Sequence, residues 1–246
     1  MVHDVAQAGF SDPRDYEAAR PSYPAEAVDW ITGFLATAGA PRVCDLAAGT
    51  GKLTRLLAGR GYRLFAVEPV AGMRATFRTV LPDVPIVAGA AEALPVRDAS
   101  LDAVTVAQAW HWFDKDRAAA ELRRTVVAGG RVVLVWNARD RSASWVDAVW
   151  SVVDRVEKRA PWRDHEQWRD TAESVAGFPP PERAEFRHAQ QLTPEQVVQR
   201  VASVSHVAVL PDRERDAVLD EVRGIVSGHD LLTLPYRVDC VGVIRG

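Results

Sequence analysis

Residues 42–58 read RVCDLAAGTGKLTRLLA, and this stretch decides the fold class. A short apolar run over Arg42–Leu46 is followed by a turn that contains Gly49 and Gly51. A helical pattern over Lys52–Ala58 comes directly after the turn. A strand, a glycine turn and a helix in this order are typical of one unit of a parallel α/β sheet.

Strand and helix patterns alternate on both sides of this stretch. Short, Val-rich strands are predicted at Tyr62–Val67, Pro85–Val87, Leu101–Ala107 and Arg131–Trp136, and helices at 24–38, 70–80 and 114–127. Parallel strands need crossover connections, and these connections place helices on the faces of the sheet. The pattern therefore predicts a doubly wound, mostly parallel α/β sheet that binds ligands at the carboxyl ends of its strands.

The second half of the chain has a different pattern. Helical stretches and a Trp-rich segment fill residues 137–182, which predicts a helical insertion that caps the sheet. Beyond it we expect a strand near Ala184–Gln190, helices over Pro194–Ser203 and Asp212–Ser227, and a last strand over Tyr236–Ile244. A length of 246 residues fits one large domain with an elaborated cap.

Composition excludes several classes of protein. Hydrophobic residues make up 48% of the chain and charged residues 26%, which is typical of a globular domain and not of a disordered chain. A net charge of −3 argues against a main role in binding nucleic acid. We find no apolar run of the roughly 18 residues that a membrane span needs, and the polar N-terminus has no signal-peptide core.

Cysteine and histidine usage predicts no metal site. Cys44 and Cys240 are too few and too far apart for a disulfide framework or a zinc ligand set, and they fit a reducing, cytoplasmic environment. No metal-ligand spacing is present among His3, His165, His188, His206 and His229. We interpret these five histidines as ordinary surface or packing residues.

Two carboxylates accompany the glycine turn. Asp45 ends the first predicted strand, and Glu68 lies 23 residues later at the end of the second. A carboxylate at Glu68 can accept two hydrogen bonds from vicinal ribose hydroxyls, so the pair predicts a nucleoside-containing cofactor. The nicotinamide fingerprint G-x-G-x-x-G is incomplete, because Thr54 replaces its third glycine. Asp45 would repel a pyrophosphate but suits a cationic amino-acid tail, which favours S-adenosylmethionine (SAM) over NAD.

Four segments resemble class I SAM-dependent methyltransferases, and specifically their methyltransferase type 11-like small-molecule branch. They are YEAARPSYP at 16–24, VCDLAAGTG at 43–51, Val67–Met73 and AQAWHWF at 107–113. The last segment is the most specific, and it is similar to that of trans-aconitate methyltransferase and its relatives. The resemblance implies a Rossmann-like seven-stranded sheet, a single domain over 1–246, a lid segment at 1–24 and SAM as the cofactor.

The resemblance also assigns roles to individual residues. It implies cofactor contacts from Tyr16, Arg20, Asp45, Ala47, Gly49, Gly51, Glu68, Pro69, Met73, Ala91, Glu92 and Gln108. His111 is expected to position cofactor or substrate, or to act as a base. Candidates for the pocket of the methyl acceptor are Tyr23, Trp112, Asn137, Arg139 and Trp145. We expect a small-molecule acceptor, no nucleic acid or membrane partner and no metal.

Two positions depart from the family pattern. Ala47 replaces the first glycine of the usual loop, which is a mild change. Ala90 stands where the family often has an Asp that binds the adenine amino group. Adenine recognition is therefore expected to rest on backbone groups around Ala91 or on Glu92.

The tryptophans are unevenly distributed. Of eight, only Trp30 precedes residue 110; Trp110 and Trp112 flank His111, and five others fall at positions 136, 145, 150, 162 and 168. They either anchor an accessory helical layer or form an aromatic wall for the acceptor. A SAM-fold protein that binds a nucleoside without catalysis, and an RNA methyltransferase, remain alternative functions.

Overall fold

The computed structural model of the chain describes residues 21–37, 39–157 and 178–246. Its strands are β1 (Arg42–Leu46), β2 (Arg63–Val67), β3 (Ile86–Val87), β4 (Leu101–Ala107), β5 (Val126–Arg139), β6 (Glu182–Leu192) and β7 (Leu232–Ile244). Its helices are α1 (Ala25–Leu35), α2 (Lys52–Leu57), α3 (Ala71–Val80), α4 (Lys115–Thr125), α5 (Ser144–Glu157), α6 (Pro194–Ala202), α7 (Ser205–Ala208) and α8 (Asp212–Val226).

All seven strands belong to one sheet in the order β3-β2-β1-β4-β5-β7-β6. The first five are parallel, whereas β7 runs antiparallel to both β5 and β6. The predicted doubly wound, mostly parallel sheet is therefore confirmed. Because β6 and β5 are both antiparallel to β7, the carboxyl ends of β1 to β6 meet at one edge. This edge is where the fold places a ligand.

Both faces of the sheet are covered by helices. Side chains alternate along a strand, so that Val43 of β1 packs with α1 and α2 on one face and Cys44 packs with α4 on the other. Near β2 and β3, Phe77 of α3 adds a small third cluster. Burial on both faces explains why these strands read as continuous apolar runs.

A fourth apolar cluster forms beside β7. Helices α5, α6, α7 and α8 pack together against the first residues of β7, and Trp150 and Tyr236 are nearly fully buried there. Trp145 packs at the rim of the same cluster. For these two tryptophans of the insertion, the structure thus supports the helical-layer interpretation. Within the described ranges, no helix is long and apolar enough to cross a bilayer.

Several elements differ from the predicted ones. Strand β5 begins at Val126, inside the predicted helix 114–127, and β7 begins at Leu232 rather than at Tyr236. Strand β5 continues through Asn137 to Arg139, so the helical insertion begins later than residue 137. The short helix α7 and a 3-10 turn over Trp110–Trp112 had no clear pattern. The lid segment up to residue 20 and the Trp-rich stretch 158–177, with Trp162 and Trp168, lie outside the described residues.

Gly51 is expected to tolerate no side chain. Its φ is +90°, and a Cβ there would lie 2.7 Å from Cδ1 of Leu81 and 2.9 Å from the ring of Phe77. Gly51→Ala should therefore lower the free energy of unfolding by about 2 to 4 kcal/mol, measured by urea denaturation. Gly33→Ala is the matched control, because Gly33 lies inside α1 with open space around it. This control should gain roughly 0.5 to 1 kcal/mol, and equal effects of the two changes would contradict the prediction.

Candidate active site

The loop after β1 folds tightly over the edge of the sheet. Ala47, Gly49 and Gly51 all have positive φ, at +55°, +59° and +90°, and the Gly51 N–H donates to the Ala48 carbonyl at 2.9 Å. The positive φ at Ala47 explains why related loops use glycine at this position. A residue with a side chain costs about 1 kcal/mol or more in this left-handed backbone conformation. The Ala48 N–H donates to the carbonyl of Val67 at the end of β2. The loop is thereby fixed against the neighbouring strand.

Asp45 is a buried carboxylate at the floor of the site. It is 1% exposed, and its two oxygens accept hydrogen bonds from the hydroxyls of Thr54 (2.5 Å) and Thr105 (2.8 Å). Burial raises the pKa of Asp45 from 3.8 to about 6, although these hydroxyls act in the opposite direction. Each carboxylate oxygen keeps a second lone pair for a further donor.

Glu68 ends β2 directly behind the loop. It is 4% exposed, and its carboxylate accepts from the backbone N–H groups of Gly49 (2.9 Å) and Val70 (2.8 Å). Burial raises the pKa of Glu68, and the two N–H groups oppose that shift. Arg74 donates to the carbonyls of Glu68 and Pro69 and holds the strand end in place. The carboxylate is therefore preorganised, and free lone pairs remain on both oxygens.

A cleft opens between the glycine loop and the ends of β4 and β5. Asp45 and Gly49 line it on the β1 side, and Tyr23, Gln108, Asn137 and Arg200 are further lining residues. Gln108 has a φ of +59°, which is uncommon for a residue with a side chain, and its N–H donates to Val135 of β5. Strained residues of this kind cluster at functional sites. The structure thus gathers six predicted site residues around one cleft, namely Tyr23, Asp45, Ala47, Gly49, Gln108 and Asn137.

Asn137 connects the cleft to two distant segments. Its Nδ2 donates to the carbonyl of Ser22 at 3.0 Å, and its Oδ1 lies 3.1 Å from Nε2 of His188 on β6. With the amide oriented in this way, His188 must donate through Nε2. The ring of His188 stacks on Tyr236 at 5.1 Å, and burial lowers its pKa. The contacts with Ser22 and His188 fix the Asn137 side chain. His188 itself has a packing role, because its ring stacks on Tyr236.

His111 lies in an aromatic setting beside the cleft. Its ring is 4.6 Å from that of Trp112 and 4.7 Å from that of Trp136, measured between centroids. Trp110 is buried and packs edge-on against Phe113. A role for His111 as a base stays a prediction, because the structure does not place it on the lining of the cleft described above.

The remaining predicted residues are not on the lining of this cleft, or they lie outside the described part of the chain. Met73 and Ala91 are buried, and Glu92 accepts from the N–H of Asp114 before α4. The guanidinium of Arg139 stacks over Trp150 at 4.7 Å. Roles for these residues stay predictions. No structure is described for Tyr16 and Arg20.

Sequence reasoning missed Arg200 and the partners of Asp45. Arg200 belongs to α6, is 2% exposed and lines the cleft. The helical spacing could have indicated that Arg200 is buried, because it lies on the same helical face as the apolar residues Val197 and Val201. No sequence pattern indicated that the hydroxyls of Thr54 and Thr105 bind Asp45. Thr105 is 60 residues from Asp45 in sequence and reaches it only through strand pairing.

Comparisons with known proteins agree on the class of this domain. Residues 44–134 match a family model described as a methyltransferase domain. An uncharacterised methyltransferase of Mycobacterium tuberculosis is 40% identical over 232 residues, which cover 92% of this chain and 90% of that protein. An uncharacterised methyltransferase-like protein of Schizosaccharomyces pombe is 35% identical over 234 residues, covering 92% and 91%.

A solved structure has the same fold. It is assigned as a methyltransferase from an antibiotic biosynthesis pathway of Anabaena variabilis, with a TM-score of 0.67 and 20% identity. The match covers 91% of this chain and 98% of that one. At this identity the likeness concerns the fold alone.

Proposed function

Since this chain belongs to the class I SAM-dependent methyltransferases, we propose that it transfers the methyl group of SAM to a small-molecule acceptor by in-line displacement. The observation that carries the proposal is the pairing of Asp45 and Glu68 around one glycine loop, each buried and held by hydrogen bonds. Two acidic groups suit a ligand that presents a ribose diol and an ammonium group.

The residues of the site fit this cofactor. Glu68 keeps lone pairs for the two ribose hydroxyls and is within hydrogen-bond reach of the loop at Gly49. Asp45 lines the cleft below that loop and can accept from the ammonium of the amino-acid tail. The raised pKa of Asp45 is consistent with this role, because burial without a cation disfavours the charged carboxylate.

The chain's own contribution to the reaction is alignment and exclusion of water. When bound, SAM supplies a methyl group on a sulfonium, which passes to a nucleophile as the carbon–sulfur bond breaks. Asp45 and Glu68 hold the two ends of the cofactor. Gln108 and Asn137 line the cleft beyond the loop. An acceptor that is already ionised needs no base, and a protonated one needs a base of the appropriate pKa.

Cofactor affinity is expected to depend on pH through Asp45. Below about pH 6 this carboxyl is protonated and cannot pair with an ammonium group. S-Adenosylhomocysteine (SAH) should therefore bind about tenfold more weakly at pH 5 than at pH 7. Calorimetric titrations across this range would measure the change. Binding of 5′-methylthioadenosine, which lacks the amino-acid tail, serves as the control and should change little; an equal change for both ligands would contradict the role of Asp45.

The acceptor class is tested by labelled transfer. The protein is incubated with SAM that carries a tritiated methyl group, together with either total RNA or a defined mixture of small carboxylic acids, phosphate esters, phenols and amines. We expect label in the small molecules. Label in RNA would favour the RNA methyltransferase alternative, and tight SAH binding without any transfer would favour a non-catalytic protein. A cytoplasmic location also stays a prediction.

A further inference from the structure

Helix α6 carries a charge where its pattern calls for an apolar residue. Arg200 is 2% exposed and shares the buried face of the helix with Val197 and Val201. Taking a guanidinium out of water is costly, and an apolar residue of similar volume would often be as stable or more stable. Packing alone therefore does not account for arginine at this position.

Arg200 reaches the cleft from the side opposite the glycine loop. Helix α6 follows β6, and the carboxyl end of β6 lies at the same edge of the sheet as the ends of β1 and β4. In the sheet order, β4, β5 and β7 separate β1 from β6. Asp45 and Arg200 nevertheless line the same cleft. The cleft thus has a buried carboxylate near β1 and a buried guanidinium near α6.

We propose that Arg200 binds an oxyanion of the methyl acceptor, a carboxylate or a phosphate, so that the acceptor is an anionic small molecule. This inference rests on the proposed function and names its substrate class. The planar guanidinium can donate two parallel hydrogen bonds to either oxyanion. The guanidinium carbon lies 5.9 Å from the centroid of the Tyr236 ring, which limits the orientations that the side chain can adopt.

The neighbours of Arg200 favour the acceptor over the cofactor as the source of this anion. Asp45 is the carboxylate on the lining at the loop end of the cleft, and it repels an anionic group placed close to it. Lys52 also lines the cleft beside the loop, and Arg200 attracts an anion at the other end, near α6. Gln108 and Asn137 lie on the lining at the ends of β4 and β5, between these two ends of the cleft in the order of the sheet. Asn137 is fixed by Ser22 and His188 and so presents a preorganised polar surface.

The test compares anions with neutral counterparts. The SAH-saturated protein is titrated with benzoate and benzamide, succinate and succinamide, and phenyl phosphate and phenol, and binding is followed by the thermal midpoint of the complex. Transfer of a tritiated methyl group from SAM is measured in parallel. At least one anion should bind about tenfold more tightly than its neutral counterpart. The two acid pairs and the phosphate pair distinguish a carboxylate acceptor from a phosphate acceptor.

Arg200→Met is the decisive variant, because Met fills a similar volume without charge. It should weaken binding of the preferred anion at least about 30-fold, while the affinity for SAH changes less than twofold. Circular dichroism verifies that the variant is folded before binding is compared. Arg200→Lys keeps the charge but loses the bidentate geometry, so it should have an intermediate effect. Arg223→Met, on the exposed face of α8, is the matched control.

Three results would overturn the inference. The first is that no anion binds more tightly than its neutral counterpart. The second is that Arg200→Met leaves the preference for the anion intact. The third is that this variant binds SAH more weakly than the wild type does, while its affinity for 5′-methylthioadenosine is unchanged. That result would assign Arg200 to the carboxylate of the cofactor. If the wild type binds no SAH, the proposed function itself fails, and this outcome is distinct from the other three.

Discussion

Glu68→Gln is expected to weaken binding of SAH at least about 100-fold. The variant keeps the size of the side chain but replaces two charge-assisted acceptors for the ribose hydroxyls, each worth about 1.5 to 3 kcal/mol. It also removes one of the oxygens that accept from Gly49 and Val70, so an amide N–H would face a backbone N–H. Equilibrium dialysis with labelled SAH measures the loss.

Folding must be separated from binding in this experiment. One lost hydrogen bond should cost about 1 to 3 kcal/mol of unfolding free energy, which leaves a folded protein that circular dichroism can verify. Glu26→Gln provides the matched control, because Glu26 is exposed in the first turn of α1. A folded Glu68→Gln protein with the affinity of the wild type would remove Glu68 from the cofactor site.

Asp45→Asn should change stability and cofactor affinity in opposite directions. At pH 7.5 the buried carboxylate is ionised at a cost in desolvation, since its pKa is about 6 in the folded protein against an ordinary value of 3.8. A neutral amide removes this cost and should raise the free energy of unfolding by about 1 to 3 kcal/mol. The amide cannot pair as strongly with an ammonium group, so SAH should bind at least about tenfold more weakly.

The sign of the stability change follows from proton binding. Between about pH 4 and pH 6 the folded wild type holds more protons than the unfolded chain, so its stability falls as the pH rises. Above pH 6 the difference in free energy of unfolding between the wild type and Asp45→Asn is constant. Below pH 4 this difference vanishes, because the carboxyl of the wild type is protonated in both the folded and the unfolded state. Urea denaturation at pH 4 and pH 7.5 measures both limits. A variant that is less stable than the wild type at pH 7.5 would show that the ionised carboxylate stabilises the fold.

The central sheet could be predicted from the sequence because its signals are local. Strands β1 and β4 are short apolar runs that end at turns, and their predicted bounds match the structure. The capping box formed by Thr193 and Gln196 likewise fixes the start of α6 from nearby residues. Strand β5 is longer than predicted because pairing with β7, including Arg139 opposite Tyr236, is a tertiary contact.

The candidate site could be predicted in part for the same reason. Asp45 and Glu68 lie on one continuous unit of strand, loop and helix, and their spacing is readable from the chain. Arg200 and His188 reach the site through the antiparallel end of the sheet, so their sequence positions give no direct indication of that proximity. Arg200 and the contact between His188 and Asn137 are therefore the parts of the site that the structure adds.

A crystal structure of the complex with SAH would test the account most directly. We predict that both ribose hydroxyls donate to Glu68, that the ammonium of the tail lies against Asp45, and that the sulfur faces the part of the cleft lined by Gln108, Asn137 and Arg200. SAH bound elsewhere on the chain, or bound in this cleft without a contact from its ribose to Glu68, would contradict it.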